Sequence, residues 1–411
     1  MRDLKTIAIP IFSLVILTLG SALLTTFLSL RLHDLGVNAF IVGGLSTAYY
    51  GGMVAGAFKL ESIILRIGYI RTYAACASIL AVTALLHGFF VESYFWLLLR
   101  FIEGIATAGL YIVIESWILS SSDNKNRGST LAVYMIALYV AQSLGQWLLN
   151  LGDQTNLSLY AISALFAALS IIPLALIKTE VPSFNEPQTL SIRAIFFLSP
   201  TGVTTCLASG LILGSLYGLY PIYIQHLGYS LADISSIMGI TIFGGMLFQY
   251  PIGKLSDHIN RRIVIILLSF ITILLCALLI WKNPLSLWAL ATISFFLGGA
   301  VFCLYPVGMS HACDVIDHHK IVSATQTLLL AYGIGATLGP IMAPLGNLYM
   351  ADSGLLLFWM IICTPLIFYM LWRKNQVALL PVLDKQDYTL LAEMTPVAMQ
   401  LDERAKVTDE K

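Results

Sequence analysis

In 411 residues the chain is 58% hydrophobic and only 11% charged, with a mean hydropathy of +0.86, a balance that excludes a water-soluble globule and defines a polytopic membrane protein. Its 22 basic and 22 acidic residues cancel, which excludes the basic face that a nucleic-acid partner calls for. The six cysteines, Cys76, Cys206, Cys276, Cys303, Cys313 and Cys363, are scattered through apolar stretches without metal-ligand spacing and read as small buried hydrophobes.

A membrane-spanning helix takes about 20 mostly apolar residues. Such stretches lie near 7–31, 40–64, 73–91, 95–119, 129–149 and 158–177, and again near 201–225, 231–252, 263–281, 285–311, 321–347 and 354–372. These long unbroken runs exclude a β-barrel, whose strands alternate over about ten residues. The first run follows Arg2 and Lys5 as a signal peptide would, but it is too long and lacks a small-residue cleavage site, so it is expected to remain as the first helix. With the N-terminus inside, the loops on that side carry Arg66, Arg71, Lys125, Arg127, Lys178, Arg193, Lys254, Arg261, Arg262 and Lys320. The opposite loops carry only Arg31 and Lys282, so both termini are expected in the cytoplasm.

The two groups of six spans echo each other. Leu19-Gly20-Ser21 returns as Leu213-Gly214-Ser215, Gly51-Gly52-Met53 as Gly244-Gly245-Met246, Leu110-Tyr111 as Leu304-Tyr305 with Gly104 matched by Gly298, and Ser143-Leu144-Gly145 as Thr337-Leu338-Gly339. The offset is 193 or 194 residues throughout. An even number of spans per copy makes the repeat parallel, related by an axis along the membrane normal, the arrangement of transporters whose halves rock about a site between them. The expected fold is thus an all-α polytopic membrane protein of twelve transmembrane helices in two pseudo-symmetric six-helix bundles. The bundles cover 1–177 and 199–372, joined by a polar, proline-bearing cytoplasmic linker at 178–198 and followed by a mixed-charge cytoplasmic tail at 373–411.

Polar residues inside spans are costly and mark candidate sites. In the fourth span Arg100, Glu103, Thr107, Tyr111 and Glu115 fall within about 60° of one direction and form a stripe roughly 22 Å long. Two readings stay open: Arg100 and Glu103 line a pathway in which a glutamate carries a proton, or they form a structural i,i+3 pair while Glu115 reaches the cytoplasmic interface. Gln142 and Gln146 in the fifth span, Gln249 in the eighth and Gln326 in the eleventh suit substrate contacts or helix-to-helix hydrogen bonds equally. The seventh span sets Tyr217, Tyr220 and Tyr223 among Gly214, Gly218 and Pro221, a cavity-lining and bending pattern, with the aromatic belt as the alternative for Tyr223 and Tyr220. Tyr305 in the tenth span joins the candidate pathway. Asp314, Asp317, His318 and His319 contain metal-binding residue types, but in a short loop a solvated polar surface is expected and no metal site is assigned.

Between the eighth and ninth spans stands Gly253-Lys-Leu-Ser-Asp257-His-Ile-Asn-Arg261-Arg262. This segment resembles the G-x-L-x-D-R-x-G-R-R signature of the major facilitator superfamily, with His258 for an Arg and Asn260 for a Gly. In the matching first-half loop Glu61 stands at the first Gly and Leu65 at the Asp, leaving Arg66, Gly68 and Arg71. Arg100 to Gly104 is similar to that family's R-x-x-x-G element. The wording of Tyr305 to Pro340, with Tyr217-Gly218-Leu219-Tyr220-Pro221 and Glu115-Ser116, resembles the YcaD-like bacterial group within the superfamily. The resemblance implies alternating access, with Gly253, Asp257, Arg261 and Arg262 as a conformational loop motif at the cytoplasmic face.

The expected function is a secondary active transporter of a small organic solute in the cell (inner) membrane. No P-loop is present, so concentrative work must come from a gradient, with the proton as the expected coupling ion. Import is favoured over efflux, because Gly145-Gln146 stands where drug antiporters of the superfamily carry Gly-Pro in helix five, while the Gly-Pro of this chain is Gly339-Pro340. Efflux and a non-transporting sensor remain as alternatives. An acyltransferase reading of Asp317-His318-His319 fails because Lys320 stands where that chemistry needs a cysteine, so no enzyme activity is expected. The partners expected are a small-molecule substrate, a proton or other ion and the lipid bilayer, with no cofactor, for a monomer.

Overall fold

The computed structural model describes residues 2–120, 127–176, 199–281, 285–316, 321–376 and 388. The first bundle holds α1 (Arg2–Asp34), α2 (Ala39–Ile67), α3 (Tyr69–Phe89), α4 (Ser93–Ser120), α5 (Arg127–Trp147) and α6 (Ser158–Ala175, interrupted at Ser170). The second holds α7 (Pro200–His226), α8 (Leu231–His258), α9 (Arg261–Trp281), α10 (Leu287–Cys313), α11 (Ile321–Met342) and α12 (Gly354–Gln376). The linker expected at 178–198 and the tail beyond Gln376, apart from Tyr388, lie outside the described residues. All these helices except α2 are long and apolar enough to cross a membrane. The 29-residue α2 falls short in hydropathy because it is filled with glycine, serine, threonine and tyrosine, the small and polar residues that join helices where lipid supplies no hydrophobic drive.

The helix ends repeat between the halves. Gly36 (φ 72°) stops α1 in the left-handed region, and Gly228 (φ 85°) stops α7 in the same way. Asn38 caps α2 by accepting from the Phe40 amide, and Ser230 caps α8 in a capping box with Asp233. These equivalents are 192 residues apart, and from α4 onward the offset is 194, with Glu92 and Ser286 as matching start signals. The sequence matches of Gly51 with Gly244 and of Leu19 with Leu213 are therefore one and two residues out of register, since a small residue on an apolar helix can be slid along without penalty in the pattern. Gly104 with Gly298 and Tyr111 with Tyr305 are in register, as is the signature-loop alignment through Gly68.

The same contacts build each bundle: α2 packs on α4, α1 on α5 and α6, and α3 on α4 and α6, while α8 packs on α10, α7 on α11 and α12, and α9 on α10 and α12. The tightest seams have glycine on both sides. A Cβ at Gly104 would run into Tyr49 O and one at Gly52 into Phe101 O; in the second bundle Gly298 faces Thr241 O and Gly244 faces Phe295 O. Between bundles, α2 lies against α11 and α5 against α8, two further pseudo-equivalent seams. Thr47 Oγ1 donates to Thr337 O at 2.7 Å in the first, and Ser143 Oγ donates to Gly239 O at 2.8 Å in the second. Thr47 corresponds to Gly239 and Thr337 to Ser143, so the two seams use the same positions with donor and acceptor exchanged.

This packing makes the glycine seams sensitive to a single methyl. Gly104→Ala and Gly298→Ala are each expected to lower stability by about 1–3 kcal/mol. Gly51→Ala, whose Cβ would meet only Thr337 Cγ2 at 3.6 Å, is expected to leave the thermal midpoint in detergent unchanged. Equal midpoints for all three variants would contradict the assignment of the seams.

Candidate functional site

A cleft between the bundles encloses about 770 Å³ of space, including solvent open to it. Its wall comes chiefly from the first bundle: Thr18, Ser21 and Thr25 of α1, Tyr49, Tyr50 and Met53 of α2, Tyr111 of α4, and Tyr139, Gln142 and Gln146 of α5. The second bundle contributes Tyr217 and Tyr332. Six tyrosines, two amides and several hydroxyls form a lining without a formal charge. Tyr217 closes across the cleft, donating from its hydroxyl to Gln142 Oε1 at 3.0 Å. Gln146 is anchored by Thr26, which donates to its Oε1 at 2.7 Å, so the amide is held in place before any ligand arrives.

Beside this lining, inside the first bundle, the charges are gathered. Arg100 and Glu103 are 3% and 1% exposed, and Arg100 Nη1 donates to Glu103 Oε2 at 2.8 Å. The guanidinium lies 4.2 Å from the centre of the Tyr49 ring, a cation–π contact, and Nη2 donates to Thr25 Oγ1 at 3.3 Å. His87 of α3 completes the group with Nδ1 3.4 Å from Glu103 Oε1 and 2.7 Å from Thr83 O. The indole of Trp96 covers it edge-on at 5.2 Å. Among the described residues Glu103 Oε1 accepts no hydrogen bond and His87 Nε2 makes none. A small pocket adjoining the cluster is lined by Ser21, Tyr49, Thr107 and Ser163 as well as Arg100 and Glu103. Because Ser21 and Tyr49 also line the central cleft, they connect the two spaces.

The other residues singled out in the sequence separate into different roles. Tyr111 faces the cleft, but Glu115 does not: it is fully buried and accepts from Tyr134 Oη of α5 at 2.7 Å, outside the cleft lining. Tyr220 turns into the second bundle, hydrogen-bonded to Ser294 at 2.7 Å and ringed by Tyr223 and Trp359. Ser294 is the counterpart of Arg100, so the place that holds a charge in the first half holds a neutral pair in the second. Gln249 donates to Tyr139 Oη at 2.9 Å and joins α8 to α5 without lining the cleft. Tyr305 packs against Tyr332 with ring centres 5.0 Å apart, behind the wall, and the buried Gln326 is also outside the lining. The cleft and the adjoining charge cluster therefore bring Arg100, Glu103, Thr107 and Tyr111 of the α4 stripe together with Tyr49, Tyr50, Tyr139, Tyr332 and His87, which the sequence reading missed. A helical wheel places residues within one helix and cannot say which helix lies opposite.

The signature loop forms an ionic junction around a buried arginine. Arg261, 1% exposed, pairs with Asp257 at 3.2 Å and with Asp314 Oδ2 at 2.9 Å, joining the end of α8 to the residue that caps α10. Asp314, expected in a solvated loop, is thus part of this junction, while Asp317, His318, His319 and Lys320 lie outside the described residues. Arg262 donates to His311 Nε2 at 3.1 Å and to Arg373 O at 3.2 Å. Gly253 admits the ring of Tyr388, whose amide donates to Asp257 Oδ1 at 3.0 Å.

Two bundles of six helices with crosswise-equivalent seams about a central cleft define the fold of a solute carrier. The profile described as Major Facilitator Superfamily matches residues 11–340 and 204–394, and the chain belongs to that family. It is 34% identical over 364 residues to the MFS-type transporter YcaD of Escherichia coli (strain SE11), covering 88% of this chain and 94% of that protein, and equally similar to YcaD of Shigella flexneri. The fold matches the crystal structure of the nucleoside transporter NupG with a TM-score of 0.73 at 18% identity, over 90% of this chain and 99% of that one. It also matches a bacterial homolog of the human lysosomal transporter Spinster, in an inward-facing and unoccupied conformation, with a TM-score of 0.71 at 12% identity, over 93% and 98%.

Removing Arg261 takes a buried cationic partner away from two carboxylates. Arg261→Gln is expected to destabilise the protein by about 3–5 kcal/mol, and Asp257→Asn, which leaves the better-buried Asp314 paired, by less. The order of thermal midpoints, wild type above Asp257→Asn above Arg261→Gln, checks the junction.

Proposed function

We propose that the protein is a secondary active transporter that carries an uncharged, hydroxyl-bearing solute with a flat ring face through the central cleft, driven by protons. The observation that carries this reading is the juxtaposition of an uncharged tyrosine-and-amide lining with the buried Arg100–Glu103–His87 group through the shared Tyr49. Tyrosine rings offer stacking surface, and their hydroxyls with Gln142 and Gln146 offer donors and acceptors to sugar or amide groups. A charged solute would leave water for a wall that supplies no counter-charge. Nucleosides, the cargo named for NupG, have this chemistry and head the panel to be tried.

The coupling proton is assigned to Glu103. Its Oε1 is open to a proton while Oε2 stays on Arg100, and His87 stands close enough to exchange with it. Protonating Glu103 loosens its grip on Arg100, which bears on Tyr49 and Thr25 in the lining. That gives the proton a route to the solute without contact between them. Gln146 in the wall, where drug antiporters have proline, supports import over efflux. The loop charges support cytoplasmic termini in the inner membrane, with the Asp34 end of α1 outside.

Proteoliposomes test the reading. Counterflow of uridine, adenosine and uncharged sugars is measured beside acidic and basic metabolites, with and without an inward proton gradient. Uptake of a neutral member is expected. Glu103→Gln is expected to retain counterflow but lose about tenfold or more of gradient-driven accumulation. Glu115→Gln is expected to lower the thermal midpoint while leaving the proton dependence of the remaining transport intact. Preference for charged solutes, or full gradient-driven accumulation by Glu103→Gln, overturns the proposal.

A further inference from the structure

At the end of the molecule where α1 and α7 finish, the two bundles meet through histidine. His33 Nε2 and His226 Nε2 stand 2.6 Å apart, and their rings meet edge-on with centres 4.6 Å apart. Beside them Gln225 donates to Asp34 Oδ1 at 2.7 Å. In the 192-residue register His33 is equivalent to Gln225 and Asp34 to His226. The two contacts are therefore related by the pseudo-twofold axis: each residue of one half touches the equivalent of its neighbour in the other, as across a symmetric dimer interface. Both imidazoles also line a separate pocket with Tyr223, Asn347 and Asp352, and His226 Nδ1 is 3.8 Å from Asp352 Oδ1. His226 is about one-third exposed, so protons reach the pair from solvent on this side.

We propose that His33 and His226 form a proton-binding site between the bundles that holds this mouth of the cleft closed while it carries at most one added proton and opens it when it carries two. With both rings neutral, one Nε2–H donates to the other Nε2. One added proton keeps a donor facing an acceptor, and the positive charge is met by Asp352 beside His226 and Asp34 beside His33. A second proton removes the remaining lone pair, so two N–H groups and two like charges face each other at hydrogen-bond distance. Separation of α1 from α7 relieves that repulsion, and acid therefore favours the open mouth. The groups facing the pair are Asp34 and Gln225 on the helices that carry it, Tyr223 one turn earlier on α7, and Asp352 before α12. Arg31 is set beside Tyr160 and Asp153. The neighbouring seams at Thr47 and Ser143 hold the closed state against this repulsion, so the proton shifts a population instead of forcing a single state. What the site gates rests on the transporter reading; its response to acid does not.

The test uses the full chain in lipid nanodiscs without any solute. Spin labels are placed at Leu35→Cys, after α1, and Ala232→Cys, at the start of α8; both positions are exposed, and all six native cysteines are buried. Pulsed electron paramagnetic resonance reads the distance between them. From pH 8 to pH 5 the longer-distance population of the otherwise wild-type protein is expected to rise about fivefold or more. His33→Gln and His226→Gln, each of which prevents the doubly charged contact, are expected to hold that rise below about twofold. Asp352→Asn withdraws a negative charge that favours protonation, so opening is expected at lower pH. The two histidine variants report independently, so a folding failure in one leaves the other decisive. A full acid response in either folded histidine variant, or none in the wild type, overturns the proposal. An intact response in protein that moves no solute would refute the transport reading while leaving the gate standing.

Discussion

Everything in this molecule depends on helices coming close enough for backbone to touch backbone. In lipid there is no apolar surface to hide, since side chain and solvent are equally oily, and association rests on van der Waals contact and hydrogen bonds. The seam of Gly52 and Gly104 supplies that contact in the first bundle, and Gly244 with Gly298 supplies it in the second. It also positions chemistry. The carbonyl that touches Gly104 belongs to Tyr49, and the ring of the same residue lies over Arg100. A seam that opened by the width of a methyl would take the aromatic wall away from the charge it shields.

That charge is the second constraint. Arg100 and Glu103 sit where an uncompensated charge is costly, and each is tolerated because the other, with Thr25, the Tyr49 ring and His87, surrounds it. The duplication places Ser294 and Leu297 at the equivalent positions, where a neutral Ser294–Tyr220 hydrogen bond stands in place of the ion pair. The buried Arg100–Glu103 charges are thus confined to the first of the two halves. The other supplies Tyr217 and Tyr332 to the wall and carries the Arg261 junction that binds three of its helix ends together.

Several of these features could be read directly from the residues. Arg100, Glu103 and Tyr111 announce themselves as polar groups on one face of an apolar helix, and two of the candidate amides, Gln142 and Gln146, do line the cleft. Gln249, Tyr220, Tyr305 and Gln326 carry the same kind of signal and turn elsewhere, because a tyrosine or glutamine satisfied by a neighbouring helix looks identical in sequence to one that waits for a ligand. His87 left almost no trace. It is a lone histidine near the end of an apolar span, and only its approach to Glu103 gives it meaning. The repeat was visible, yet its register was wrong by one or two residues in α1 and α2, since glycines recur too often along those helices for a short match to fix the alignment; the end signals at Gly36 and Gly228 settle it.

From sequence alone follow the number and length of the spans, the duplication, the family and the presence of charge within the fourth helix, because each is a property of one stretch of chain and of what a bilayer excludes. Only the tertiary structure decided that Tyr49 covers Arg100, that Glu115 faces Tyr134, that Arg261 joins Asp257 to Asp314, and that His33 meets His226 across the pseudo-twofold. The physical reason is common to all four. In water the apolar face of a helix points to the core and betrays its partner; in lipid the outward and inward faces are both apolar, and the pairing of helices is written in shape and hydrogen bonds that no periodicity records.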